Sequence, residues 1–147
     1  MKKVFKSAII LSLCAVCIAA CALFTACNYE EIYNNESKQT GATSCSRVNS
    51  DSDSTLGHYY ETCTKFNGVD QIATVTVTET TVINVDLTVN SGKFKLILVN
   101  GKTVYKTIEA IEPYTFDEAL PLEGIPNGSY KLRMVGLDAN FTMTVKY

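Results

Sequence analysis

Outside the first 27 residues, the chain holds few reactive side chains. They are Cys45 and Cys63, and His58, which is the only histidine of the chain. In an exported domain, an even pair of cysteines predicts a disulfide, here one that joins the polar N-terminal segment to the first strand. Two unpaired thiols are the first alternative. A zinc site is the second, but the spacing of these three residues matches no zinc pattern.

Alternating acidic residues raise the question of calcium. Asp51 and Asp53 alternate with serines, and oxygen ligands at alternate positions can surround Ca²⁺. The EF-hand pattern counted from Asn49 needs Gly at its sixth position and Glu at its twelfth. The sequence has Ser54 and Tyr60 there, so that pattern fails. An irregular calcium loop at Asp51 and Asp53 is the remaining prediction, with a solvated linker as the alternative.

Three tyrosines are the best candidates for contacts with a ligand. Tyr59 and Tyr60 are adjacent, and Tyr114 lies in loop-like sequence. An aromatic face can hold a sugar ring or a peptide side chain while neighbouring polar groups fix its orientation. These tyrosines therefore predict a binding surface, and half-buried packing in the domain is the alternative.

No motif in the sequence indicates catalysis. There is no Gly-x-Ser-x-Gly, and a strand would direct His58 and Cys63, five residues apart, to opposite faces. Paired carboxylates for glycoside hydrolysis have seven candidates, among which nothing singles out two: Glu61, Asp86, Glu109, Glu112, Asp117, Glu118 and Glu123. We therefore expect a protein that is not an enzyme, and a small hydrolase is the less favoured alternative.

The first 27 residues read as an export signal. Lys2, Lys3 and Lys6 precede an uncharged apolar run that ends at Cys27, where polar sequence begins. This end resembles a bacterial lipobox, in which a cysteine receives lipid and becomes the mature N-terminus. Cys21 is the competing lipidation site, although it would leave apolar residues at the start of the mature chain. An uncleaved membrane helix is a further alternative, and either arrangement predicts an extracytoplasmic domain held at a bacterial membrane.

The charge balance argues against nucleic acid as a partner. Three of the 13 Lys and Arg residues belong to the signal, which leaves 10 against 15 Asp and Glu in the rest of the chain. A nucleic-acid binder needs a basic surface to neutralise phosphates. No cofactor is expected apart from the calcium considered above.

The elements that must position these residues are strands. Residues 28–54 are rich in Asn, Ser, Thr, Glu and Asp, so they predict a flexible polar tether. From residue 55 onward, apolar and polar residues alternate, as in 81–89 and 141–147, which predicts half-buried strands. Asn100-Gly101 predicts a hairpin, 114–117 an edge strand and 120–125 a loop. Seven or eight short strands in residues 55–147 predict an antiparallel β-sandwich, either jelly-roll-like or immunoglobulin-like.

Two stretches of the domain carry a resemblance. Residues 92–104 have a strand, an Asn-Gly-Lys turn and a second strand, and residues 126–136 have Gly-x-Tyr-x-Leu-x-x-Val before a final alternating strand. This order is similar to bacterial pre-peptidase C-terminal domains and to small β-sandwich domains of Gram-positive lipoproteins. The resemblance implies a jelly-roll-like sandwich that serves as a binding or secretion accessory, and it implies no catalytic residues.

These observations together predict a lipid-anchored binding module at the bacterial cell envelope. The expected ligand is a polysaccharide, a wall polymer or a protein. The alternative is a structural subunit of a surface or secretion complex, for which an exposed apolar patch would be the sign.

Overall fold

The computed structural model describes residues 28–147, which form an antiparallel sheet and two short helices. The elements are α1 (Tyr29–Asn34), α2 (Glu36–Gln39), β1 (Ser44–Thr55), β2 (His58–Val77), β3 (Asn84–Asn100), β4 (Thr103–Ile111), β5 (Tyr114–Ala119) and β6 (Gly128–Lys146). The strand order is β1-β2-β6-β3-β4, and β5 pairs with the first half of β3. The predicted all-β, antiparallel class is confirmed.

The strands β2, β3 and β6 are long because each crosses an irregularity near its middle. In β3 the buried positions change from odd, such as Leu87, to even, such as Leu96. In β6 they change from even, such as Met134, to odd, such as Met143. An extra residue in a bulge reverses the faces, so apolar residues stay inside on both sides of it. This change of phase makes one long strand read as two short ones. The expected seven or eight strands are therefore six in the described part of the chain.

The bulges divide the sheet into two parts. The first half-sheet comprises β5, β1 from Val48, β2 before Phe66, β3 before Asn90 and β6 after Asp138; the second half-sheet comprises β4 and the remainder of the other strands. The inner side chains of both half-sheets belong to one apolar core. Within it, the rings of Phe94 and Phe141 lie 4.7 Å apart between centroids, although they come from different half-sheets.

Hydrogen bonds and an ion pair join the bulges of β2 and β6. Asn67 Nδ2 donates to Asp138 Oδ1 at 3.0 Å, and the Asp138 backbone N–H donates to Asn67 Oδ1 at 2.7 Å. Lys65 Nζ lies 3.1 Å from the same carboxylate. The hydrogen bond from Asn67, followed by that from Lys65, lowers the pKa of Asp138. These contacts hold Asp138 in a left-handed conformation, with φ at 51°.

The segment predicted as a flexible tether is folded beyond Asn28. Two short helices occupy its first part, and β1 pairs with β2 from Ser44 to Thr55. The eight residues at the C-terminal end of β1 are all exposed, so the strand is held there by its backbone ladder and buries little side-chain surface. The amino-acid composition of a segment indicates how much side-chain surface it can bury, but it does not show whether its backbone pairs with another strand. The tether prediction is wrong for this reason.

The helix α1 lies on the outer side of the second half-sheet. Tyr33, with only 2% of its surface exposed, packs against Val69, Ile97 and Val135. Its hydroxyl donates to Glu109 Oε1 at 3.0 Å, and its ring centroid lies 4.4 Å from Lys95 Nζ. The second half-sheet is therefore covered on both sides.

Local signals in the loops are confirmed. Asn100 pairs with Thr103, and Gly101 between them has a φ of 59°, so the predicted hairpin forms. The strand β5 pairs with β3 at the predicted edge, and residues 120–127 are free of strand.

Candidate functional site

The outer side of the first half-sheet carries a regular array of polar side chains, here named the polar face. Residues opposite one another in neighbouring strands point to the same side of a sheet. The strand registers therefore align three rows, each with one residue from β1, β2, β6, β3 and β5 in that order. The upper row is Thr55, His58, Lys146, Asn84 and Ala119; the middle row is Asp53, Tyr60, Thr144, Asp86 and Asp117; the lower row is Asp51, Thr62, Thr142, Thr88 and Thr115.

The polar face is broad and shallow. Five strands span four gaps of about 4.8 Å, so each row is about 19 Å long. A depression of about 300 Å³ opens in it, lined by Asn84, Val85, Asp86, Asp117, Thr144 and Lys146. Aliphatic side chains are nearly absent from the three rows, with Ala119 the one exception. This surface can accept many hydrogen bonds but can bury little apolar area.

The polar groups of the middle row are uncommitted. Thr62 and Thr142 share a hydrogen bond at 3.2 Å in the lower row. In contrast, within residues 28–147 no side-chain hydrogen bond or ion pair engages Asp53, Tyr60 or Asp86. The same holds for Asp117 across the part of the chain that the structure describes. The row is therefore free to bind a ligand.

The polar face is acidic. Its carboxylates are Asp51, Asp53, Asp86 and Asp117, and Lys146 is its one lysine. Asp86 and Asp117 are directly opposite across β3 and β5. Like charges in that position destabilise a sheet, so folding alone does not account for the pair.

The predicted binding tyrosines have three different environments. Tyr60 is half-buried in the middle of the polar face, so both its role as a ligand contact and the alternative of half-buried packing stay open as predictions. Tyr59 is buried, and its hydroxyl donates to Glu61 Oε2, so its assignment to a binding surface is wrong. Tyr114 is opposite the buried Val89 and packs against the core, which also removes it from the polar face.

The predicted calcium ligands are on the polar face but do not form a cluster. Asp51 and Asp53 are exposed on β1, opposite Thr62 and Tyr60. Among the described residues no three His, Cys, Asp or Glu side chains are grouped closely enough to hold a metal ion. Calcium binding at Asp51 and Asp53 stays a prediction, and no third protein ligand lies close to them among the described residues.

The predicted disulfide is absent, and both cysteines are free thiols. Cys45 is opposite Gly68, whereas Cys63 is opposite Ser50. Five residues of ladder therefore separate the two thiols, about 16 Å, and a disulfide needs Cα atoms about 6 Å apart. This register follows from the pairing of β1 with β2, which cannot be inferred from the number of cysteines.

The opposite orientation of His58 and Cys63 is confirmed by the alternating burial of β2. Cys21 and Cys27 lie outside the described residues.

A buried ion pair on the inner side attaches β1 to β2. Arg47 Nε donates to Glu61 Oε1 at 2.7 Å, and Arg47 Nη2 donates to Asp70 Oδ2 at 2.6 Å. The Glu61 side chain is completely buried. Burial alone would lower the pKa of Arg47, but the two carboxylates outweigh it and raise that pKa above its usual value. This ion pair holds the edge strand that supplies Asp51 and Asp53.

The same cluster predicts an alkaline loss of stability. Burial, followed by the hydrogen bond to Glu61, raises the pKa of Tyr59 above its ordinary 10.0. The folded state then keeps the phenol proton more tightly than the unfolded chain does. Its contribution is complete below pH 10 and is lost as the pH rises above it. We expect the urea midpoint to fall between pH 8 and pH 11, and to fall less in Tyr59→Phe.

The control for that measurement is Tyr105→Phe. Tyr105 is 40% exposed, and no hydrogen bond within residues 28–147 engages its hydroxyl. This variant should keep the alkaline loss of the parent. An equal loss in Tyr59→Phe and in the parent would contradict the prediction.

The sequence did not predict the polar face, but its alternating pattern indicated some of the residues that share a face. The alternation of 81–89 and 141–147 placed Asn84, Asp86 and Thr88 on one face, and Thr142, Thr144 and Lys146 on another. Asp117 was one of seven acidic candidates. Only the registers of four strand pairs bring these residues into common rows.

No protein-family model, curated protein or solved structure matches this chain. None of the helices between Asn28 and Tyr147 has the length and apolar character needed to cross a bilayer.

Proposed function

We propose that this chain is a lipid-anchored, extracytoplasmic binding module of the bacterial envelope, and that the polar face is its ligand site. The observation that carries the proposal is the middle row of uncommitted polar groups around Tyr60. Polar side chains without protein partners can hydrogen-bond to a polar ligand and fix its orientation.

A β-sandwich is the architecture that this proposal includes. Phe94 and Phe141 share one core although they belong to different half-sheets, which supports two layers facing each other. Such layers would agree with the resemblance to pre-peptidase C-terminal domains. The polar face and the surface under α1 would then be the two outer sides.

The anchor favours an outward-facing site. If Cys27 receives the lipid, only Asn28 separates it from α1. The helix α1 packs on the second half-sheet, so the membrane would lie on that side and the polar face would point away from it. Binding at the polar face would thus be open to wall polymers and to surface partners.

The proposal includes no catalytic step. Asp86 and Asp117 form the one carboxylate pair on the polar face with a direct cross-strand register, but both are exposed. A carboxyl group that serves as a general acid is held in an apolar pocket. An open surface of this kind supports binding more than hydrolysis.

Substitutions in the middle row test the proposal. The full chain, purified in detergent, is incubated with isolated cell wall, polysaccharides and envelope extract, and retention is measured. Tyr60→Ala and Asp86→Asn should each weaken retention on the bound component about tenfold, because each removes a contact worth about 1.4 kcal/mol.

Two exposed positions away from the polar face serve as matched controls. Tyr105→Ala removes an aromatic ring from β4, and Glu123→Gln removes a charge from the loop after β5. Both should bind like the parent. The proposal would be wrong if the parent were retained on no envelope component. It would also be wrong if the control variants lost as much retention as Tyr60→Ala and Asp86→Asn.

A structural subunit remains the second candidate because β2 has an open edge. Its pairing with β1 ends at Val69, so Asp70–Val77 pairs with β6 alone. Beside this edge, Leu56 and Val82 are largely exposed and line a shallow groove with Thr74 and Thr76. An edge of this kind can accept a strand from another chain. A protein that co-purifies with the parent and is lost in Leu56→Asp, but not in Tyr60→Ala, would favour this candidate.

A further inference from the structure

The charge of the polar face restricts the ligand of the proposed site. Four carboxylates and one lysine repel a polymer that carries phosphate, sulfate or carboxylate groups. The near absence of aliphatic side chains from the rows also leaves the polar face without the apolar centre that protein interfaces use. The remaining ligand class is rich in hydroxyl groups and lacks negative charge.

The middle row also gives the ligand a direction. It presents one side chain per strand, so its groups repeat at about 4.8 Å. That repeat is close to the advance per ring of an extended polysaccharide. Along a single strand, residues on the same face repeat at about 6.8 Å, which is a poorer match.

Each group of the row has a fitting role toward sugar rings. Tyr60 offers the one phenol ring of the three rows, on which the less polar side of a sugar ring can stack. Asp53 precedes it, and Asp86 and Asp117 follow beyond Thr144. Carboxylates accept strong hydrogen bonds from hydroxyl groups, and here they are free to do so.

We propose that the polar face binds a linear polysaccharide without anionic groups, lying across the strands along the row from Asp53 to Asp117. This inference rests on the proposed function and names the ligand class of that same site. The row length then sets the site at about four or five sugar rings.

The first experiment is affinity electrophoresis of the full chain in detergent. The gels contain mixed-linkage glucan, xylan, galactomannan or glycol chitosan, and a second set contains alginate or polygalacturonate. Retardation by a polymer of the first set and not by the second is the expected result. Retardation by the anionic polymers would overturn the inference while leaving the proposed function intact, whereas retardation by none, together with no retention on envelope, would overturn both.

The second experiment tests the direction with oligosaccharides of the retarding polymer, from two to eight rings. Affinity should rise with length and level off at about four or five rings. Asp117 and Thr64 lie at similar distances from Tyr60, the first across about three strand gaps and the second along about four residues of β2.

Substitutions at Asp117 and at Thr64 are expected to have different effects on binding. Asp117→Asn should weaken binding of the five-ring oligosaccharide about tenfold and leave the two-ring one unchanged, because a short ligand held at Tyr60 does not reach it. Thr64→Val should change neither. Loss of affinity in Thr64→Val with full affinity in Asp117→Asn would show a ligand along the strand and overturn the inference, as would affinity that continues to rise through eight rings.

Discussion

Replacing Gly92 with alanine is expected to lower the free energy of unfolding by about 3 kcal/mol or more. Gly92 lies in the β3 bulge with a φ of 78°, where an alanine costs about 1–2 kcal/mol. A Cβ atom there would also collide with the Asp138 carbonyl group and lie 2.7 Å from Leu137 O. Forcing two backbones apart adds about 1–3 kcal/mol. Urea unfolding of the parent and the variant measures the difference.

Gly124→Ala is the matched control for that measurement. Gly124 has nearly the same φ, at 77°, but no atom lies within 4 Å of an added Cβ. Gly124→Ala has only the cost of the positive φ and no collision, so we expect its free energy of unfolding to fall by about 1–2 kcal/mol. Equal losses in the two variants would show that the close approach of β3 and β6 at the bulge contributes nothing.

Arg47→Met is expected to destabilise the domain by about 3–5 kcal/mol, because it leaves the buried Glu61 carboxylate without its opposite charge. The Glu61 side chain is completely buried, and Arg47 donates to it at 2.7 Å. Arg47 also lies over the Phe66 ring, with its Cζ 5.0 Å from the centroid. Urea unfolding again gives the size of the loss.

Two further variants separate the buried charge from simple loss of a contact. Lys65→Met breaks the Lys65–Asp138 ion pair, whose side chains are 55% and 61% exposed, and should cost no more than about 1 kcal/mol. The double variant Arg47→Met/Glu61→Leu removes both charges and should recover most of the stability. A double variant as unstable as Arg47→Met would contradict the account.

Both structural features serve the polar face. The bulge at Gly92 lets β3 and β6 continue with their apolar residues inside, which leaves Asp86 and Thr144 outside. The Arg47–Glu61 ion pair holds β1 against β2, and β1 supplies Asp53 to the middle row. If the polar face binds the proposed ligand, variants of Arg47 are expected to weaken that binding indirectly, through loss of the edge strand.

The largest errors of the sequence interpretation have one cause. Residues 44–55 are polar and mostly exposed, yet they form β1, because a strand can be held by backbone hydrogen bonds alone. The disulfide prediction rests on an even number of cysteines in an exported domain, but the ladder keeps Cys45 and Cys63 five residues apart. The bulges near Gly92 and Asp138 escaped notice because a change of phase looks like the end of a strand.

Local patterns in the chain were enough to predict the antiparallel all-β class, the hairpin at Asn100-Gly101, and the placement of Asp86 and Thr144 on solvent faces. Those properties follow from the period of two and from turn chemistry, which are local. Long-range strand pairing is what brings into one row the side chains of Asp53, Tyr60, Thr144, Asp86 and Asp117. Register depends on which backbone groups pair across distant segments, and a shift of one residue in any of these strands would turn its member of the row to the other face.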